Sequence, residues 1–223
     1  MGKALVIGNE GSESHENTVR SYFIGQAPTW TCDIAEVGSG TSLSGNIITH
    51  QSTIGDCVSF AIANSYNVII RSYIGVWSYK LEWDVAYANN IQVVHAHGSN
   101  SHILLSTPPY IVQSAICCGG GVTANERSYG YGLEFFDYGT TGDTEESWST
   151  AVVAGKLCNI LDGVSGTMVN ARYRAQMTGS SNQIWNINDG YGLINVSAAI
   201  NYYTIPESPP RMNRITLSPY YSM

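Results

Sequence analysis

Charged side chains are scarce in this sequence. Asp, Glu, Lys and Arg make up 12% of its 223 residues, about half the share found in ordinary soluble domains. A surface built instead from Ser, Thr, Asn, Gly and Tyr implies that much of it is covered by neighbours. Ten basic residues face seventeen acidic ones, for a net charge of −7, and no Lys/Arg cluster interrupts the chain. That balance excludes a phosphate-backbone partner. No apolar run reaches the length of a membrane-spanning helix. The opening "MGKALVIGNEG" has no charged leader before a long apolar stretch, so no secretory signal is expected. Its sixth residue, Val6, also breaks the myristoylation pattern.

Metal spacing is absent too. The five cysteines, Cys32, Cys57, Cys117, Cys118 and Cys158, form an odd set read as buried free thiols. Alternation puts His95 and His97 on one strand face, as in a metal pair, but no third ligand follows at recognisable spacing. Neither a metal nor a cofactor is expected. No internal repeat or disordered linker divides the chain, and its length suits one sizeable core.

What is present is an alternation of strand and helix patterns. Residues 3–8, 67–73, 91–98, 109–118 and 133–139 read as short apolar strands. Residues 58–65 read as a helix, and in 79–90 Leu81, Val85 and Ala88 recur at helical spacing. The firmest helix spans 147–161, with Val152, Val153, Leu157 and Ile160 along it and Ser147 placed to cap it. Near-continuous apolar strands between helices predict a parallel sheet covered on both faces. Residues 205–223 differ: four prolines in "PESPPRMNRITLSPYYSM" forbid a helix. They are expected to form an arm packed on the body (residues 1–204) or on a neighbouring subunit, with Pro209, Pro210, Tyr220 and Tyr221 in contact. Fifteen Tyr and five Trp suit such contact surfaces.

Four segments, in order, resemble the subtilisin-like serine proteases (subtilases). "NDGYGLINVSAAI" (188–200) is similar to that family's Gly-x-Gly-Leu-Ile-Asn-Val-x-Ala-Ala turn into the final helix. "SWSTAVVAG" (147–155) resembles Ser-Met-Ala-Thr-Pro-His-Val-Ala-Gly, and "AIANSYNVIIRSYIG" (61–75) the helix and strand ending Asp-Val-Ile-Asn-Met-Ser-Leu-Gly. "VGSGTSLSGNI" (37–47) lies where the family has Gly-His-Gly-Thr-His-Val-Ala-Gly. The resemblance implies a three-layer, doubly wound, mostly parallel α/β fold of reduced size. The reduction is expected between Ser39 and the strand at 67–73, where fewer than thirty residues remain for a helix, a strand and a second helix.

The family works through Ser, His and Asp as nucleophile, base and orienter, with an Asn helping to hold the oxyanion. Ser147 matches the nucleophile. The base position falls on Ser39, the motif's second histidine on Ser42, the orienting acid on Gly8 or Asn9, and the oxyanion Asn on Ser99, beside Asn100. None of these substitutes has the required chemistry, because a serine hydroxyl is a poor nucleophile until a neighbour takes its proton. Glu145 and Glu146 also set negative charge beside an oxyanion site.

The expectation is therefore a catalytically inactive subtilisin-like domain, not an enzyme. It would serve as a structural or interaction subunit of a larger assembly, extending to a phage or other virion protein. Its partners would be protein, either neighbouring copies or other subunits, with no nucleic acid or membrane. It would reside in a virion or in the producing cell's cytoplasm. The alternative is an atypical serine hydrolase or peptidase using Ser147 with a displaced base. His95, His97, His102 and, after the Glu-using sedolisins, Glu36 are its candidates.

Overall fold

Leu5-Val6-Ile7 and Val68-Ile69-Ile70 are apolar at consecutive positions, and every one of these residues is fully buried. Only a strand covered on both faces explains such a run. The computed structural model describes residues 2–40, 43, 45–73, 79–96, 115–120, 133–137, 146–164, 166–181, 183–184 and 190–202, and it places both triplets mid-sheet. In chain order the first elements are β1 (Lys3–Asn9), α1 (Glu13–Gln26), β2 (Thr31–Val37), β3 (Ile47–Gln51), α2 (Ile54–Ala63), β4 (Val68–Arg71) and α3 (Lys80–Ala88). There follow β5 (Gln92–Ala96), β6 (Ala115–Gly120), β7 (Leu133–Asp137), α4 (Glu146–Gly163), α5 (Met168–Thr178) and α6 (Val196–Ile200). The sheet runs β3-β2-β1-β4-β5-β6-β7, and each neighbouring pair is parallel. The expected α/β architecture, a parallel sheet with helices on both faces, is what forms.

Alternation along the strands separates two cores. Ala4, Val6, Ile34, Val68, Ile70 and Val94 pack with α1 and α4 on one face. Leu5, Ile7, Ala35, Ile69 and Val93 pack with α2 and α3 on the other. Helix α4 is the hub of the first face. Val152, Val153, Leu157 and Ile160 are buried as expected, but so are Ala151, Ala154 and Cys158 on its other sides. A helix apolar all round is one surrounded by protein, and here the sheet covers one side while α1, α5 and α6 cover the rest.

Helix α1 was not read from the sequence, and one reading changes. The helix carried no recognisable stripe, because Val19 and Phe23 are its buried apolar residues and the third buried position is Glu16. In α3 the apolar spacing pointed the wrong way. Leu81 is 77% and Val85 50% exposed, while Trp83 and Ala86 are fully buried. The large indole takes the inward face and meets the His95 ring edge-on, with centroids 5.7 Å apart. Trp83→Ala is accordingly expected to cost about 3–5 kcal/mol in a denaturant titration, whereas Leu81→Ser stays within about 0.5 kcal/mol.

The C-terminal segment enters α6 as its resemblance implied. Gly190 has φ +59°, and a Cβ there would lie 2.4 Å from the Glu134 carbonyl oxygen, so only glycine fits. Asn195 then caps α6, its side chain accepting from the Ala198 N–H at 3.0 Å. The cysteines Cys32, Cys57, Cys118 and Cys158 are buried thiols that form no disulfide among the described residues. Burial pushes the Cys32 and Cys57 thiols up to about 12, which leaves them unreactive. The arm at 205–223, with Pro209, Pro210, Tyr220 and Tyr221, lies outside the described residues.

Candidate active site

In an open parallel sheet, ligands meet the chain beyond the carboxyl ends of the strands. At that end the loop after β1 leads into α1, and β4 runs out into Ser72 and Tyr73. Three side chains converge there. The Ser147 hydroxyl, in the first turn of α4, donates to the Ser72 carbonyl oxygen at 2.9 Å. His15, in the first turn of α1, has its Nε2 3.1 Å from the Ser72 hydroxyl. Ser72 thus touches a serine and an imidazole delivered by two helices that pack against each other.

The His15 ring is held from two sides. Its centroid is 5.0 Å from that of Trp148 and 5.4 Å from that of Tyr73. Trp148 in turn stacks on Tyr22, at 5.4 Å and 26°. The Tyr73 ring lies under the Arg71 guanidinium, 4.4 Å from its centroid. Its hydroxyl is 2.7 Å from Glu16 Oε1 and 2.7 Å from Ser12 Oγ. Burial above all, with Glu16 adding and Ser12 opposing, pushes the Tyr73 phenol up to about 12. It therefore remains a proton donor at neutral pH.

Ser147 is not the helix cap it was expected to be. It sits inside α4 and sends its proton to Ser72. Ser39, the residue onto which the resemblance maps the base, stands apart from Ser147. It lies beyond the end of β2, its N–H donating to Glu10 Oε2 at 2.8 Å. The Gly/Ser-rich segment from 37 to 47 connects β2 to β3 instead of opening a helix, and Ser42 lies outside the described residues. The helix that packs on α4 precedes it in the chain, which also accounts for the apparent shortage of residues after Ser39.

Gly8 and Asn9 end β1. Asn9 turns from α4 and accepts from Arg71 Nη2 at 2.9 Å. Gly8 faces α1, and a Cβ there would lie 2.4 Å from Glu16 Cγ. Ser99, with Asn100, His97 and His102, lies outside the described residues.

Of the displaced-base candidates that are described, neither reaches Ser147. His95 is buried on the opposite face of the sheet, against Trp83 of α3. Glu36 stands on β2, two strands from β4 and so about 10 Å away. Its Oε2 is 3.6 Å from His50 Nδ1. Burial, and after it the charge of Glu16, holds the Glu36 carboxyl above its ordinary value. No cluster of three or more metal-ligating side chains occurs among the described residues, and no helix among them is long and apolar enough to cross a membrane.

This is the fold of the subtilisin-like serine proteases. MycP1 of the ESX-1 type VII secretion system superposes with a TM-score of 0.66 at 16% identity, over 93% of this chain and 82% of that one. The epidermin leader peptide processing serine protease EpiP from Staphylococcus aureus gives 0.68 at 12%, over 90% and 74%. The PatG macrocyclase, solved in complex with peptide, gives 0.58 at 10%, over 90% of each chain. No protein-family model and no curated protein matches the sequence.

The expectation of a catalytically inactive domain retained as an assembly or virion subunit is corrected on two grounds. The structures sharing the fold are proteases and a macrocyclase, and the inactive reading assumed that the base position fell on Ser39. A histidine that sequence comparison had passed over stands beside Ser72, one contact from Ser147. The available signal was positional: His15 follows the end of β1 by a short loop, where parallel-sheet sites gather.

Proposed function

We propose that the protein is a serine hydrolase acting on peptide or related acyl bonds, with Ser147 as nucleophile and His15 as general base. The observation that carries this reading is the meeting of Ser147 and His15 at Ser72. In the resting arrangement the Ser147 proton points to the Ser72 carbonyl. The reading requires that the Ser147 hydroxyl leave the Ser72 carbonyl and that His15 Nε2 leave the Ser72 hydroxyl, so that the two meet when substrate binds.

As Oγ bonds to the acyl carbon, its proton passes to Nε2 and the carbonyl electron pair moves onto oxygen. The first-turn N–H groups of α4, which have no intrahelical acceptors, favour negative charge near Ser147. Collapse of the tetrahedral species breaks the bond to the leaving group, which takes the proton from His15. Water, deprotonated by the same imidazole, then releases the acid and regenerates Ser147. The absence of histidine at Ser39 and of acid at Gly8 relocates the catalytic groups in this reading instead of deleting them.

A fluorophosphonate probe tests it. The folded protein is expected to be labelled on one residue, Ser147 by peptide mapping, and Ser147→Ala to lose the label. A folded wild-type protein that takes no label on Ser147 overturns the reading.

A further inference from the structure

We infer that Glu16 is the carboxylate that positions His15 and supports its charge, delivered from helix α1 into the space that a strand side chain at Gly8 would fill. The inference rests on the Ser147–His15 reading. Its first support is volumetric. An ideal Cβ on Gly8 would lie 2.4 Å from both Cγ and Oε1 of Glu16 and 2.5 Å from its Cδ. Gly8 is one of the two positions, with Asn9, onto which the resemblance maps an acid, and the helix places a carboxyl group in the space beside it.

The second support is energetic. Glu16 is fully buried on the same helix face as Val19 and Phe23, where an apolar residue would serve packing better. Burying a carboxylate is costly unless its oxygens are bonded. Oε1 receives the Tyr73 hydroxyl at 2.7 Å and the Asn9 N–H at 3.4 Å, while Oε2 has no hydrogen-bond partner. A packing role explains neither the charge nor the unfilled oxygen.

The third support is connectivity. Tyr73 joins Glu16 through its hydroxyl to His15 through its ring, and Trp148 closes the other side of the imidazole. When Nε2 takes the Ser147 proton, the imidazolium forms close to a buried negative charge. A carboxylate in that position favours the charged form of the ring. Glu16 is thus a positioning residue. The ionisable groups around it are Glu36 of β2, with His50 of β3 and Glu13 of α1 beyond it, and Tyr73 and Arg71 at the end of β4.

The test is the pH dependence of fluorophosphonate labelling in the full chain. Glu16→Gln keeps the shape and removes the charge. It is expected to slow labelling about 10–100-fold and to move the midpoint of the rate's rise with pH downward, since a lost opposite charge makes the base easier to deprotonate. A folded Glu16→Gln protein with unchanged rate and midpoint overturns the assignment, as does a slower rate with the midpoint unmoved. Unlabelled wild type instead overturns the hydrolase reading beneath it, so the two failures are distinct.

A second variant covers the case in which Glu16→Gln does not fold. Glu16→Ala clears the space that a Cβ on Gly8 needs, so Gly8→Asp combined with Glu16→Ala returns the acid to the strand. The pair is expected to label within about tenfold of wild type and faster than Glu16→Ala alone. Equal slowness of the two overturns the inference.

Discussion

Replacing His15 with glutamine is expected to slow phosphonylation of Ser147 by about 10²–10⁴-fold at neutral pH, the range lost with a general base. Glutamine keeps a comparable length and can still hydrogen-bond the Ser72 hydroxyl now 3.1 Å from Nε2, but it cannot take up a proton. Serine chemistry depends on that uptake. The hydroxyl attacks only as fast as its proton can leave, and Nε2 is the described basic atom nearest to it through Ser72.

The fold should tolerate the change. His15 is only half-buried and its ring contacts are lateral, so the melting transition is expected to stay within about 1 kcal/mol of wild type. Rate and stability are thereby separated in one variant. A His15→Gln protein that labels at the wild-type rate removes His15 from the chemistry.

Much of the architecture was legible from the strand sequences. Parallel strands buried on both faces have to be apolar at consecutive positions, and β1 and β4 are. Helix α4 was equally plain, because Val152, Val153, Leu157 and Ile160 leave no other period. Helix α3 shows the limit of period alone. Leu81 and Val85 satisfied the spacing, yet a single tryptophan outweighed both by burying more surface.

The site was less legible for a related reason. Helix α1 spends one of its three buried positions on Glu16, which blurs the stripe that identifies a helix. A glycine-spaced motif at 37–47 then drew the alignment to Ser39. That segment has glycines in the expected places but no apolar face to hold it against α4. Function and pattern compete for the same residues in α1, and the position carrying a buried charge is the one at which pattern fails.

The helix pair that carries Ser147 and His15 meets at a glycine, and filling that position is expected to cost much of the protein's stability. A Cβ on Gly155 of α4 would stand 2.6 Å from the Cβ of Gln26 and 2.8 Å from the carbonyl oxygen of Phe23, both in α1. One obstacle is main chain and the other is fixed to it, so no side-chain rotation relieves the contact. Gly155→Val must push α1 from α4 or distort one of them. Against this, the better helix propensity of valine returns only a few tenths of a kcal/mol. The net cost is expected to reach about 3 kcal/mol or more, the upper end for overpacking, read as a lowered denaturation midpoint.

Fluorophosphonate labelling of any folded Gly155→Val fraction adds a second readout. His15 and Ser147 ride on separate helices, and a shift of about 1 Å between catalytic groups typically costs about a hundredfold in rate. The folded fraction is therefore expected to label far more slowly than wild type, although Gly155 lies two turns along α4 from Ser147. Gly155→Val that keeps both its stability and its labelling rate shows that α1 and α4 do not need this close crossing. The separation of nucleophile and base would then have to be fixed elsewhere, leaving the contacts of Ser72 with both residues and the Trp148 ring on His15 as the elements that set it.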